Sequence, residues 1–425
     1  MATEPSGGGI WVYQKTRLDN GIRVVTEYIP HVRSVTIGFW FKTGSRDEDI
    51  DYNGVSHFIE HMIFKGTKTR SARQIAETID ASGGQLNAFT SKEHTCFYAR
   101  VLDDHMELAV EILSDMVLNS EFSQTELEKE KCVILEEIHS YEDTPDELVH
   151  DMFAEAALTG HVLGKGILGN AATISRLTRD QLLDYMHTHY TADNLVVAAA
   201  GNVLHDQVVE TVARYLSSFG GRSTTGAFLN SEVAHSHDLV RYKDSELIHM
   251  CIGSHGYNRN CPQQYAIFVL DMAIGGGMSS RLFQELREER GLVYNVYSYH
   301  TLFQDVGLLA TYTGCSPQNL HTVLDIMRAE FADIEANGIK SDELHRAKEQ
   351  LKGSLMLSLE STANRMSRLA KAELFQEPLY SPDEMIEKIN AVRPEDVQQV
   401  AGRLLNSKNM VCAAIGPITV EALRR

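Results

Sequence analysis

Two kinds of apolar periodicity alternate along the chain. Alternating or β-branched runs, such as VRSVTIGFWF at residues 32–41 and IHMCIGSHG at residues 248–256, predict strands. Between such runs lie long segments whose apolar positions recur every three to four residues, which predicts amphipathic helices. This mixture predicts an α+β fold, in which helices pack on one face of a mainly antiparallel sheet.

The whole pattern occurs twice. GGQLNAFTSKEHTCFYARV (residues 83–101) precedes an amphipathic helix and an acid-rich one, and GLVYNVYSYHTLFQDVGLLATYT (residues 291–313) precedes two similar helices. Each half closes on an apolar strand, where Asn194 and Gly201 match Asn409 and Gly416 at a single offset. A Gly/Ser/Thr-rich stretch without periodicity separates the halves. We therefore predict homologous domains at residues 1–220 and 239–425, joined by a linker at 221–238.

Composition narrows the class of protein. The chain has 425 residues, of which 43% are hydrophobic and 23% charged, as in soluble globular proteins. No apolar run approaches the ~20 residues that span a bilayer. The opening MATEPSGGGI lacks the features of a secretory or transit signal. Six scattered cysteines without a CxxC pair favour a reducing compartment, so we expect a cytoplasmic location.

The charge balance bears on partners. A formal net charge of −19 opposes binding to nucleic-acid phosphates and to anionic membranes, and we expect neither partner. A polymeric ligand of this chain is therefore expected to be neutral or basic, such as a peptide.

Candidate metal chemistry lies in GVSHFIEHMIFKGT, residues 54–67. His57 and His61 are four positions apart, so they share one face of a helix and can hold one ion. Glu60 projects beside that ion. Two neutral imidazoles suit Zn²⁺, which in catalytic sites takes three protein ligands and keeps a position for water. The alternative is a helix whose histidines simply make hydrogen bonds.

A third ligand is expected from the acid-rich helical segment at residues 126–147. Glu130 and Glu137 are seven positions apart and share a face that also carries apolar residues. For most acids of the segment, the alternative of a solvated charged helix holds. Glu136 rivals Glu137, since an error of one residue in register exchanges them.

Together these motifs resemble a known family. HxxEH, followed some 75 residues later by a glutamate in an E-x6-E helix, resembles the inverted zinc motif of the pitrilysin or inverzincin metallopeptidases. Over residues 14–420 the chain resembles their mitochondrial processing peptidase branch in its bacterial form. The resemblance implies two domains forming half of a clamshell and one zinc per chain. The implied ligands are His57, His61 and Glu137, with Glu60 as general base and Glu130 orienting the site.

The resemblance also implies where a peptide lies. In the family, the strand matching QLNAFTS is a sheet edge to which a peptide adds, which makes Asn87, Ala88 and Phe89 candidate contacts. Arg287 and Tyr294, seven positions apart, match an arginine and a tyrosine that reach the peptide near zinc. A core strand, a surface arginine and a packed tyrosine are the structural alternatives.

The second half has lost the metal chemistry. Alignment of the halves puts Ala347 opposite Glu130 and Ser354 opposite Glu137, so we expect a non-catalytic wall there. In the family, the Arg/Tyr half faces zinc across a chamber, which implies a second subunit. We therefore expect a homodimer in which Arg287 serves the neighbour's zinc.

The predicted function is a zinc endopeptidase that acts on unfolded peptides or presequence-like segments. Two alternatives are a catalytically silent scaffold and a subunit that works only in a heterodimer. An acidic chamber wall would favour basic peptides, although a solvent-facing acidic turn explains the same four residues, which are Glu142, Asp143, Asp146 and Glu147.

Overall fold

A computed structural model describes residues 13–223, 233 and 236–423. The predicted linker at 221–238 thus lies largely outside the described residues, as does the opening of the chain. Two compact units are formed. The first comprises Met1–Leu135, Ile167–Phe228 and Ser358–Ser381, and the second comprises Glu136–Gly166, Leu229–Leu357 and Pro382–Arg425.

Each unit contains one sheet. The strands of the first are β1 (Tyr13–Arg17), β2 (Arg23–Tyr28), β3 (Ser34–Phe41), β4 (Gln85–Thr90), β5 (Thr95–Leu102) and β6 (Leu195–Gly201). Those of the second are β7 (Leu239–Tyr242), β8 (Ile248–Gly256), β9 (Val293–Leu302), β10 (Gly307–Cys315) and β11 (Val411–Gly416). The orders are β1-β2-β6-β3-β5-β4 and β7-β11-β8-β10-β9. Strand pairing is antiparallel except for β2–β6 and β7–β11, so the predicted α+β class with mainly antiparallel sheets is confirmed.

Helices make up most of the remaining described chain. Those before the predicted linker are α1 (Val55–Ile63), α2 (Ala72–Ala81), α3 (Met106–Asn119), α4 (Gln124–Glu142), α5 (Pro145–Ala157), α6 (Ala171–Arg176), α7 (Arg179–His189) and α8 (His205–Tyr215). Those after it are α9 (Gln264–Gly275), α10 (Leu320–Asn337), α11 (Ser341–Ser358), α12 (Thr362–Phe375), α13 (Pro382–Ala391), α14 (Pro394–Leu404) and α15 (Val420–Leu423). Among the described residues, no helix is both long and apolar enough to cross a membrane.

The duplication seen in the sequence is repeated in the backbone. Strands β6 and β11 hold equivalent places, each between one parallel and one antiparallel neighbour. Both end in a glycine with positive φ, +139° at Gly201 and +145° at Gly416. A Cβ at Gly201 would lie 2.2 Å from the carbonyl oxygen of Ser34, so only glycine fits where the chain leaves the strand.

The compact units differ from the continuous domains predicted from the sequence, because each half of the chain gives one helix to the other unit's sheet. Helix α5 packs on β8 and β11, and α12 packs on β2, β3 and β6. The Trp40 indole Nε1 donates to Met366 Sδ of α12 at 3.0 Å, and both side chains are buried.

Candidate metal centre

The start of helix α1 is fixed by a buried carboxylate. Glu48 accepts hydrogen bonds from the backbone N–H of Gly54 at 2.8 Å and of Ser56 at 2.9 Å. These N–H groups lie at a helix N-terminus, where an intrahelical acceptor is lacking. Gly54 has φ +100°, and a Cβ there would lie 2.8 Å from a backbone oxygen of Leu168. The turn before the histidine-bearing helix is therefore set by Glu48 and a glycine.

Both histidines of α1 point the same way, as their spacing predicts. Their ring centroids are 4.6 Å apart. His57 is 8% exposed, and burial, with a smaller contribution from His61, lowers the pKa of His57 to about 3. His57 is therefore neutral near neutral pH, which is the form that binds a metal.

Helix α4 brings a carboxylate to the two rings. His57, His61 and Glu137 each offer one ligand atom, and these atoms all lie within 4.8 Å of one another. Ligands of one tetrahedral zinc, bonded at about 2.0–2.2 Å, are separated by about 3.3 Å, so a small side-chain adjustment closes the set. Two imidazoles and a carboxylate are a donor set of catalytic zinc sites, and the residues therefore fit the ion. Glu136, the rival acid, is exposed, whereas Glu137 is half-buried.

Glu130 lies two helical turns before Glu137 on the same continuous helix and contacts His61. A carboxylate only accepts, so His61 Nδ1–H donates to Glu130 Oε2, at 3.1 Å. This bond fixes the tautomer whose lone pair is on Nε2, the usual arrangement for a metal-bound histidine. The Lys65 ammonium lies 2.7 Å from Glu130 Oε1. Sequence reasoning missed Lys65, although its position four residues after His61 was the available signal.

Glu60 has a partner on the neighbouring strand. Thr90 Oγ1, at the end of β4, donates to Glu60 Oε2 at 2.5 Å. Helix α1 packs against β4, which explains how residues thirty positions apart meet. Thr90 was also missed, because its place in the alternating run QLNAFTS gives no sign of a through-space partner.

Strand β4 is the outer strand of its sheet, as the resemblance implied. Asn87 is exposed, and its Oδ1 accepts from the backbone N–H of Ala88 at 2.8 Å. A side chain that caps its neighbour's N–H protects an edge from uncontrolled strand pairing. The half-buried Phe89 ring packs edge-to-face against Trp40, with the ring centroids 5.3 Å apart.

Arg287 and Tyr294 lie together in the second unit. Arg287 belongs to a π-helical turn, Phe283–Glu288, of the kind often found at functional sites. Its guanidinium carbon lies 5.3 Å from the ring centroid of Tyr294 and 4.8 Å from that of Phe283. Tyr294 is 82% exposed, so it is not the packed tyrosine of the structural alternative.

The second half carries no equivalent of the metal group among the described residues, where His57, His61 and Glu137 form the only cluster of three or more potential ligands. Ala347 is buried and Ser354 is exposed on α11, in agreement with the loss seen in the sequence.

Two family models match successive parts of the chain. Residues 23–171 match the family model described as insulinase, peptidase family M16, and residues 176–351 match the model described as the peptidase M16 inactive domain. Among curated proteins, "Uncharacterized zinc protease YmxG" of Bacillus subtilis is 45% identical over 94% of this chain and 97% of its own length. "Uncharacterized zinc protease SCO5738" of Streptomyces coelicolor is 42% identical over 96% of this chain and 91% of its own length.

Solved structures share the fold. A protease from Helicobacter pylori superimposes with a TM-score of 0.89 over 96% of this chain and 100% of its own, at 20% identity. A peptidase M16 inactive domain from Pseudomonas fluorescens superimposes with a TM-score of 0.88 over 96% of this chain and 98% of its own, at 22% identity. At these identities, the match establishes the architecture alone.

Proposed function

Because the chain belongs to the insulinase-like M16 peptidases, we propose that it is a zinc-dependent endopeptidase that cleaves unfolded or presequence-like peptides. The observation that carries the proposal is the grouping of two imidazoles and one carboxylate, with Glu60 on the same helix as both imidazoles. Zinc, when bound, lowers the pKa of water toward ~7 and polarises a scissile carbonyl.

The roles of the chain's own residues follow from their contacts. His57, His61 and Glu137 would hold the ion, and Glu130 keeps the His61 ring in one tautomer and orientation. The Glu60 carboxylate accepts a proton from the attacking water and delivers it to the leaving amine nitrogen. One group thus serves as base and then as acid.

We propose that the peptide pairs with the outer edge of β4. Main-chain hydrogen bonds at a sheet edge tolerate varied side chains, which suits an enzyme for unfolded segments. Asn87 turns away from the Ala88 N–H when the peptide strand arrives, and that N–H then pairs with the peptide. The net charge of −19 and four exposed acids favour basic or neutral peptides; these acids are Glu142, Asp143, Asp146 and Glu147.

The decisive test combines a metal count with peptide cleavage. Glu60→Gln is expected to keep about one zinc per chain and to lose at least about 100-fold in turnover of a quenched basic peptide, because the ligands stay while the base is removed. Glu136→Gln is the matched control, since Glu136 is an exposed acid of α4, and its turnover should equal the parent's. Equal cleavage by Glu60→Gln and parent would contradict the proposal.

For the partner, we propose a homodimer in which Arg287 and Tyr294 act at the neighbouring chain's metal site. The exposure of Tyr294 beside the Arg287 guanidinium supports the idea that the pair is offered to another surface. A cation and a phenol directed at a developing oxyanion contribute about 10²–10³ in rate.

Mixing two inactive variants tests the shared site. An equimolar mixture of Glu60→Gln and Arg287→Ala should regain activity that neither has alone, because one site of the mixed dimer keeps both groups. Arg290→Ala, which removes a half-exposed arginine paired with Glu285, is the control that should stay active alone. A monomer in solution, or no recovery on mixing, would refute the homodimer proposal.

We also propose a cytoplasmic location. All six cysteines fall within the described residues and are free thiols, which suits a reducing compartment. Fractionation of cells that express the tagged chain is the test, and recovery outside the cytoplasm would contradict it.

A further inference from the structure

The contact between Thr90 and Glu60 joins the proposed base to the proposed peptide-binding strand. At 2.5 Å, the Thr90 hydroxyl donates a short hydrogen bond to Glu60 Oε2, in the range of O–H···O⁻ bonds. Thr90 is half-buried and is the last residue of β4, paired across the hairpin with Thr95 of β5. A peptide on the outer edge of β4 and the carboxylate of Glu60 would therefore be held by the same strand.

The hairpin turn after Thr90 is clamped to the segment that precedes α1. The backbone N–H of Arg46 donates to the Lys92 carbonyl at 2.9 Å, and Arg46 forms a buried ion pair with Glu93. Gly44 allows this approach, since a Cβ there would lie 2.2 Å from the Ser91 carbonyl oxygen. The end of β4 is thus fixed to residues 44–46.

The same short segment also fixes the helix that carries Glu60. Two residues after Arg46, the Glu48 carboxylate accepts from the first N–H groups around Gly54, as described above. One continuous stretch, residues 44–56, therefore holds the turn after Thr90 at one end and the start of α1 at the other. The backbone segments that carry the Thr90 hydroxyl and the Glu60 carboxylate are therefore held by one local framework of hydrogen bonds.

We propose that Thr90 is a positioning residue for Glu60. Its hydroxyl holds one carboxylate oxygen, and because the carboxylate is planar, this sets the direction of the other oxygen toward the reacting water. The inference rests on the proposed function, in which Glu60 is the base. It adds that β4, the strand that would bind the peptide, also orients the base. A peptide paired with β4 would therefore find the Glu60 carboxylate already positioned relative to the peptide backbone.

Thr90→Val removes the hydroxyl and keeps the shape, while Thr90→Ser keeps the hydroxyl. With the quenched basic peptide, Thr90→Val is expected to lower kcat about tenfold or more and to leave KM within twofold, because a charge-assisted hydrogen bond is lost but the strand edge is not. Thr90→Ser should recover most of the kcat. Zinc content by metal analysis should remain about one per chain in both variants.

Thr95→Val is the matched control, because it removes another threonine hydroxyl from the same hairpin. This hydroxyl is buried and donates to the Thr43 carbonyl. It should lower the melting temperature while changing kcat less than twofold. A parental kcat for Thr90→Val, a Thr90→Ser variant as slow as Thr90→Val, loss of zinc from Thr90→Val, or an equal kcat loss in Thr95→Val would each overturn the positioning role.

Glu60→Gln, assayed alongside, distinguishes failure of the proposed function from failure of the proposed role of Thr90. If Glu60→Gln turns the peptide over like the parent, the proposed function itself fails. If Glu60→Gln is inactive and Thr90→Val is fully active, the function stands and only the inference about Thr90 is overturned.

Discussion

Replacement of Glu130 by glutamine probes how the helix α4 carboxylate supports the metal site. Glu130 is 3% exposed and accepts from His61 Nδ1–H at 3.1 Å and from the Lys65 ammonium at 2.7 Å. A glutamine has the same shape but one accepting oxygen and one donating NH₂. It can therefore accept from only one of these two donors, and the other donor faces an NH₂ group.

The expected cost follows from those two contacts. Removing the partner of a metal-bound histidine typically weakens metal binding 10–100-fold, which is about 1.4–2.7 kcal/mol of binding free energy. Either His61 loses its orienting acceptor, or Lys65 is left as a cation without its counter-charge. Both outcomes reduce the electron density that His61 offers the metal.

Zinc affinity can be measured by competition between the metal-free protein and a chelating fluorescent indicator. Glu130→Gln should bind zinc 10–100-fold more weakly than the parent, and Glu136→Gln on the exposed face of the same helix should bind it equally well. An affinity of Glu130→Gln within twofold of the parent would refute the reasoning, as would an equal loss in Glu136→Gln.

Three further predictions concern stability. Gly201 has φ +139°, and a Cβ there would lie 2.2 Å from a carbonyl oxygen, so Gly201→Ala should lower the free energy of unfolding in urea by more than about 2 kcal/mol. Gly402 on α14 faces open space, so Gly402→Ala should be neutral or slightly stabilising. Equal effects of the two substitutions would contradict this prediction. Met366→Ala should cost about 2–5 kcal/mol and lower the melting temperature, and an unchanged melting temperature would show that α12 does not secure the first sheet. Burial raises the pKa of Asp47 to about 6, so the native state binds the proton more tightly than the unfolded chain and stability falls by about 3 kcal/mol as pH rises from about 4 to 6. The urea midpoint of Asp47→Asn should not show that fall between about pH 4 and 6. A variant whose midpoint depends on pH as the parent's does would contradict this prediction.

The sequence predicted those features that arise from local pattern. The two halves could be recognised because the end of a strand requires glycine at both Gly201 and Gly416. The two glycines therefore recur in the sequence at the same offset as the other repeated residues. The orientation of His57 and His61 followed from helical periodicity alone. The outer position of β4 came from the family resemblance, and the strand order agrees with it.

Other features depend on contacts that no local pattern records. An apolar face of α12 shows that the helix is buried but not which sheet it covers, so its exchange into the first unit was not predictable. The choice between Glu136 and Glu137 needed either the family spacing or the exposure of each side chain. The contact of Thr90 with Glu60 and that of Lys65 with Glu130 are set by tertiary packing, and the four-residue spacing of Lys65 from His61 does not reveal Glu130 as its partner.

Crystals grown with zinc and measured at the zinc absorption edge offer the most direct test of the metal centre. We predict one anomalous peak per chain, bonded to His57, His61 and Glu137, with Glu60 beside it and Glu136 in solvent. A peak at other side chains, or none between the two imidazole rings, would contradict the assignment of this protein as a zinc peptidase.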